Sequence, residues 1–153
     1  MMYICSRAAF ITDYDWWSTN IPTVTLCGEI QGIRLAGGGN SYGRLEVLYN
    51  GEWGTICDDN WDWSDATVAC RQLGYPDVVA VYHYAFFGEG SGQIWMDGLH
   101  CNGSESSLSD CPHNGFGQHD CTHYEDAGVL CGGLLSSIVV CLIFGYFINF
   151  IQV

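Results

Sequence analysis

The sequence predicts a small α+β domain rich in disulfides. Three observations lead there: two strand patterns flanking Asn50-Gly51, one amphipathic helix pattern from Ser64 to Leu73, and six cysteines between Cys57 and Cys131. A loop-rich chain held by cystines is physically sensible, because each cystine restricts the unfolded chain and typically contributes about 2–4 kcal/mol.

The elements follow in chain order. Ile33-Arg34-Leu35 is a short strand pattern, closed by a turn at Gly37-Gly38-Gly39-Asn40. Arg44 to Tyr49 alternates, with Leu45, Val47 and Tyr49 on one face. Asn50-Gly51 then joins it to Glu52–Cys57. Asn-Gly between two strand patterns marks a tight hairpin, because both central positions need φ > 0. Ser64 caps the predicted helix and Gly74 ends it. Ala66, Ala69, Cys70 and Leu73 share one helical face, and their small size predicts close packing on a sheet with Cys70 inward. Val78–Phe87 and Ile94–Met96 are further strand patterns, and Asn102 to Asp126 reads as loop.

The chain has 153 residues and divides by composition into an N-terminal extension (1–32), a central cysteine-bearing region (33–131) and an uncharged apolar tail (132–153). Nine cysteines in so short a chain fit an oxidising compartment better than cytosol. Nine is odd, so at least one thiol has no partner within the monomer; Cys141 in the tail is the natural one. Cys5 and Cys27 can pair with each other. Seventeen acids against four arginines and no lysine give a net charge of −13. That argues against direct binding to nucleic acid, which needs basic side chains to displace counterions. It favours cations, basic partners, or anions reached through a bound cation.

The central region resembles the scavenger receptor cysteine-rich domain. The resemblance rests on Gly43-Arg44-Leu45-Glu46-Val47, Trp53-Gly54-Thr55-Ile56-Cys57-Asp58-Asp59, Asp65-Ala66, Cys70-Arg71-Gln72-Leu73-Gly74, Gly92-Gln93-Ile94-Trp95-Met96-Asp97 and Glu125-Asp126-Ala127-Gly128-Val129. The family's eight-cysteine group carries an extra pair near Ser41 and Tyr75. Neither is Cys here, so the chain is similar to the six-cysteine group, as in the macrophage class A scavenger receptors. The resemblance implies a curved antiparallel sheet cradling one helix, and the pairing Cys57–Cys121, Cys70–Cys131 and Cys101–Cys111. Spacing alone leaves fifteen pairings open.

The resemblance also implies a divalent cation site, Ca²⁺ or Mg²⁺, at Asp58, Asp59 and Glu125, and a second at Asp97, Glu105 and Asp120. Ca²⁺ takes six to eight oxygen ligands, and Mg²⁺ keeps waters around one or two carboxylates, so paired acids suit either. Acids that merely cap turns are the plainer reading. Trp53 and Trp95 sit in strand patterns and read as core, whereas Trp61 and Trp63 border the acidic loop and read as ligand-facing. His113, His119, Cys121 and His123 suggest zinc only superficially, because Cys121 belongs to a cystine under the implied pairing. No nucleophile-elbow block surrounds any serine, so no catalytic residue is assigned. Asn102-Gly103-Ser104 is an N-glycosylation sequon in a predicted loop.

Leu134 to Val153 is long enough, as a helix, to cross a hydrocarbon core of about 30 Å, although no Arg or Lys follows it. Ala8-Ala9-Phe10-Ile11 is too short an apolar core for a signal peptide. Either the chain is a fragment of a larger receptor or the tail directs membrane insertion. The expected function is an extracellular, membrane-tethered or secreted binding domain that takes polyanionic or protein ligands with help from a bound cation. The rival is a non-catalytic targeting module from a multidomain secreted protease or amine oxidase.

Overall fold

The computed structural model describes residues 28–132. A six-stranded sheet comprises β1 (Gly32–Ala36), β2 (Tyr42–Tyr49), β3 (Glu52–Ile56), β4 (Asp77–Tyr82), β5 (Gln93–Met96) and β6 (Gly128–Gly132). Its order is β4-β6-β2-β3-β5, with β1 also paired to β2. One helix, α1 (Trp63–Gln72), packs against β4 and β6.

The hairpin forms where Asn50-Gly51 predicts it. Their φ values are 50° and 81°, and Tyr49 pairs with Glu52 across the turn. Leu45 and Val47 of β2 point into the core with Ile56 of β3, Val129 of β6 and the helix residues Ala66, Val68, Ala69 and Cys70. The opposite face of β2 carries Glu46, which is bracketed by Arg34 and Arg44 with N···O distances of 2.6 and 2.7 Å. Burial alone would raise the Glu46 carboxyl; the hydrogen bonds and charges of Arg44 and Arg34 outweigh it and hold the group below its ordinary value.

The expected α+β fold, a mainly antiparallel sheet with one helix, is the one observed, and three details differ. The sheet is mixed, because β5 runs parallel to β3. Gly54 permits that approach: a Cβ there would lie 2.5 Å from both the Gln93 carbonyl oxygen and the Trp95 ring. The helix is capped by Asp62 rather than Ser64. The Asp62 carboxylate accepts from the Ser64 and Asp65 N–H groups, and Asp65 accepts from the Asp62 N–H in return. The predicted strand Val78–Phe87 stops at Tyr82 because Tyr84 and Ala85 adopt φ of 56° and 45°, which ends an extended chain.

All three disulfides have the pairing that the resemblance implies. Cys57–Cys121 ties the end of β3 to the loop before β6, Cys70–Cys131 ties α1 to β6, and Cys101–Cys111 closes a short loop. The Cys5–Cys27 pair, Cys141 and the apolar tail lie outside the described residues. Among the described residues, no helix is long and apolar enough to cross a membrane.

Candidate metal centre

The acidic segment leaves β3 under tight backbone control. The Ile56 carbonyl accepts from the Ala127 N–H, and the Asp58 N–H donates to the Glu125 carbonyl at 2.7 Å. Asn60, at φ 62°, then turns the chain so that the Trp61 N–H donates to the Asp58 carbonyl. Asp58 and Asp59 therefore face different surroundings. The Asp58 side chain is buried, accepts from the Tyr84 N–H and lies 3.8 Å from His83 Nδ1. Asp59 stands exposed.

Asp97 comes to Asp59 from the end of β5. Its carboxylate is only 2% exposed. Oδ2 accepts from Asn114 Nδ2 at 2.9 Å, while Oδ1 is buried with no hydrogen-bond partner. Carboxylate oxygens of Asp59 and Asp97 lie within 4.8 Å of each other and of the Cys57 and Cys121 sulfurs. Those sulfurs are joined in a cystine and offer no thiolate, so the donor set is oxygen. Desolvation raises the Asp59 carboxyl, and the charges of Asp97, Glu125, Asp120 and Asp58 raise it further, in that order. A cluster of like charges with one unpaired buried oxygen is a place where a hard cation relieves both repulsion and desolvation.

The acids of the two expected sets are grouped differently in space. Asp59 meets Asp97, with Glu125, Asp120 and Asp58 around them. Glu125 Oε2 is already engaged by the N–H and hydroxyl of Thr122, at 2.8 and 3.2 Å. Glu105 stands elsewhere, beside the Cys101–Cys111 cystine. Its Oε1 accepts from the Asn102 N–H at 2.9 Å, and such backbone bonds lower its carboxyl below the ordinary value.

Trp61 is corrected from ligand-facing to core: it is 2% exposed, and its indole N–H donates to the Gly128 carbonyl at 3.1 Å. Trp63 is 53% exposed, at the start of α1. Trp53 and Trp95 are half-buried rather than fully enclosed; Arg34 lies over Trp53, and Trp95 meets Tyr49 edge-on. Of the zinc set, Cys121 is oxidised and His123 Nδ1 is 3.2 Å from Asp126. His113 accepts from the Gly115 N–H, and burial lowers its ring. Asn102 of the sequon is exposed, with its side-chain oxygen accepting from the Ser104 N–H.

The disulfide pattern, the sheet and the single helix agree with a family match over most of these residues. A model described as the scavenger receptor cysteine-rich domain matches residues 35–132. The chain belongs to that family. A scavenger receptor cysteine-rich domain superfamily protein of Patiria pectinifera is 53% identical over 104 residues, which is 67% of this chain and 9% of the relative. Lysyl oxidase homolog 2A of Danio rerio is 55% identical over 101 residues, 65% of this chain and 14% of that protein. The chain therefore spans a small fraction of the length of these curated relatives. Among solved structures, the scavenger receptor domain of mouse MARCO, crystallised in a dimeric form, is 55% identical with a TM-score of 0.57; the alignment covers 62% of this chain and 90% of that one. The third such domain of murine neurotrypsin is 50% identical with a TM-score of 0.61, covering 65% and 94%.

This scavenger receptor domain presents its charge one-sidedly. Each arginine among the described residues is engaged internally: Arg34 and Arg44 by Glu46, and Arg71 by the carbonyl oxygens of Glu105 and Gly103. Of the aromatic run Tyr82-His83-Tyr84-Ala85-Phe86-Phe87, read from sequence as strand, Tyr82 ends β4 and the rest forms a loop tied to Asp58 through the Tyr84 N–H. Only the density of rings signalled it.

Proposed function

We propose that this domain is an extracellular ligand-binding module whose recognition depends on a divalent cation, Ca²⁺ or Mg²⁺, held chiefly by Asp59 and Asp97. Two observations carry the reading: a carboxylate oxygen of buried Asp97 lies within 4.8 Å of one of exposed Asp59, and Asp97 Oδ1 is buried with no hydrogen-bond partner. Glu125 and Asp120 contribute charge, and Asp58 braces the backbone. A bound cation supplies open coordination positions for an oxygen of an anionic or protein ligand. Trp63, exposed at the start of α1 and four residues after Asp59 in sequence, is the proposed aromatic contact. Asn102 is the glycosylation acceptor, and residues 134–153 are the membrane tether.

Titration calorimetry of Ca²⁺ and Mg²⁺ into the chelator-treated protein at neutral pH tests this directly. Heat of binding that vanishes in Asp59→Asn supports the reading. No heat at millimolar ion, together with ligand binding indifferent to chelator, refutes it.

A second reading is a non-catalytic targeting module of a larger enzyme. The matches to lysyl oxidase homolog 2A and to a neurotrypsin domain favour it. It uses the same surface, with a neighbouring catalytic domain supplied by the rest of such a protein.

A further inference from the structure

We infer that the aromatic loop after β4, together with Tyr124, is a docking surface for an arginine-bearing segment of another protein. Tyr84, Phe86 and Tyr124 are exposed by 67%, 66% and 60%, which is unusual for large rings grouped on so small a domain. Tyr84 and Tyr124 lie with ring centroids 6.0 Å apart, and Phe86 stacks on Tyr82 at 4.5 Å.

The loop is built, not slack. Tyr84 and Ala85 are held at positive φ, a conformation that non-glycine residues adopt only when their surroundings impose it. The constraints are visible. The Tyr84 N–H donates to the Asp58 carboxylate, the Ala85 N–H to the Asp126 carbonyl, and the Gly88 N–H to the Ala85 carbonyl. Arg44 fixes the far end through the Gly88 carbonyl. Backbone strain is thus maintained to present rings outward.

Charge selects the occupant. Asp58 lies directly behind Tyr84, Glu125 follows Tyr124, and exposed Glu89 lies three residues past Phe86. Every described arginine is engaged within the domain, and the one titratable base in the loop, His83, lies 3.8 Å from the Asp58 carboxylate, so the patch offers an anion no free arginine. Aromatic faces attract cations, and a guanidinium is planar and weakly hydrated, so it stacks on rings while pairing with carboxylates at its edge. The surface therefore fits arginine better than lysine, and either better than an anion. This inference does not depend on the cation site.

The test uses the full chain and a fluorescent nona-arginine peptide in the presence of chelator. Binding is expected, stronger than for nona-lysine. Combining Tyr84→Asn with Tyr124→Ala should weaken it about tenfold or more. Asn is chosen because it tolerates the left-handed backbone. The pair Tyr84→Phe and Tyr124→Phe should retain binding, as should Asp77→Asn at the opposite end of β4. The inference is overturned by nona-arginine binding that ignores loss of the rings, or by an Asp77→Asn effect as large as theirs, which is net charge alone. It is equally overturned by Ca²⁺-dependent binding of dextran sulfate through the same two rings.

Discussion

The carboxylate of Asp58 accepts a hydrogen bond from the backbone of Tyr84, 26 residues further along the chain. One acid of the expected cation set is thereby a strut for the aromatic loop, and its neighbour Asp59 is left to face Asp97. Asp58→Asn keeps an oxygen to accept that bond, whereas Asp58→Ala removes it. The alanine variant should be destabilised by about 1–3 kcal/mol in urea melts, the cost of orphaning a part-buried N–H, and the asparagine variant by less.

Asp97→Asn should separate stability from cation binding. It removes a buried charge from a cluster of acids, so the ion-free protein should gain stability or hold it, while its response to Ca²⁺ falls. In the wild type, free ion a hundredfold above the dissociation constant should add about 2.7 kcal/mol. Glu105→Gln should leave that response intact. Thermal melts with and without ion distinguish these outcomes.

Acid should act in opposite directions at two carboxylates. Glu46 has a depressed pKa, so its contribution is present above the ordinary carboxylate range and disappears as pH falls through the lowered value. Glu46→Gln should cost about 2–3 kcal/mol at pH 7, with the gap from wild type closing at strongly acid pH. Asp59 is raised, so it disfavours the ion-free fold at neutral pH, and that penalty is relieved as pH falls through its raised value. Paired denaturation curves at pH 7 and in acid check both signs.

Trp61 and Trp63 should behave oppositely. Trp61→Phe loses ring volume and the indole hydrogen bond to the Gly128 carbonyl, for about 2 kcal/mol, with ligand affinity per folded molecule unchanged. Trp63→Ala should alter stability by about 0.5 kcal/mol or less, because its ring is in solvent. Chemical denaturation alone reads this contrast.

Removing Cys57–Cys121 should cost more than removing Cys101–Cys111. They close chain separations of 64 and 10 residues, which chain entropy converts to about 4 and 3 kcal/mol. The first pair also anchors Asp58 and Asp59 against Glu125, so the double alanine variant Cys57→Ala/Cys121→Ala should lose its cation response as well. Melts of each double variant, with and without Ca²⁺, decide it.

Local signals in the sequence reached the hairpin and the helix, because Asn50-Gly51 and the Ala66/Ala69/Cys70 face are written in neighbouring residues. The disulfide pairing came through likeness of motif, since spacing could not choose it. The parallel β3–β5 pairing escaped, because strand direction leaves no local pattern. Trp61 was misplaced because its burial depends on Gly128, a partner 67 residues away. The strand from Val78 ran too far because alternation does not reveal the positive φ at Tyr84 and Ala85. The acids themselves were legible, but their grouping was not: Asp97 meets Asp59 only once β5 lies beside β3.

The closed pairing of Arg34 and Arg44 on Glu46 also sets how fast partners arrive. The two arginines share one acid there, but the chain's net charge of −13 makes its long-range field negative. That field decays over about 8 Å at physiological ionic strength. Basic partners are drawn in, so their diffusional encounters slow as salt is added. Polyanions are held off, and their encounters quicken under the same change.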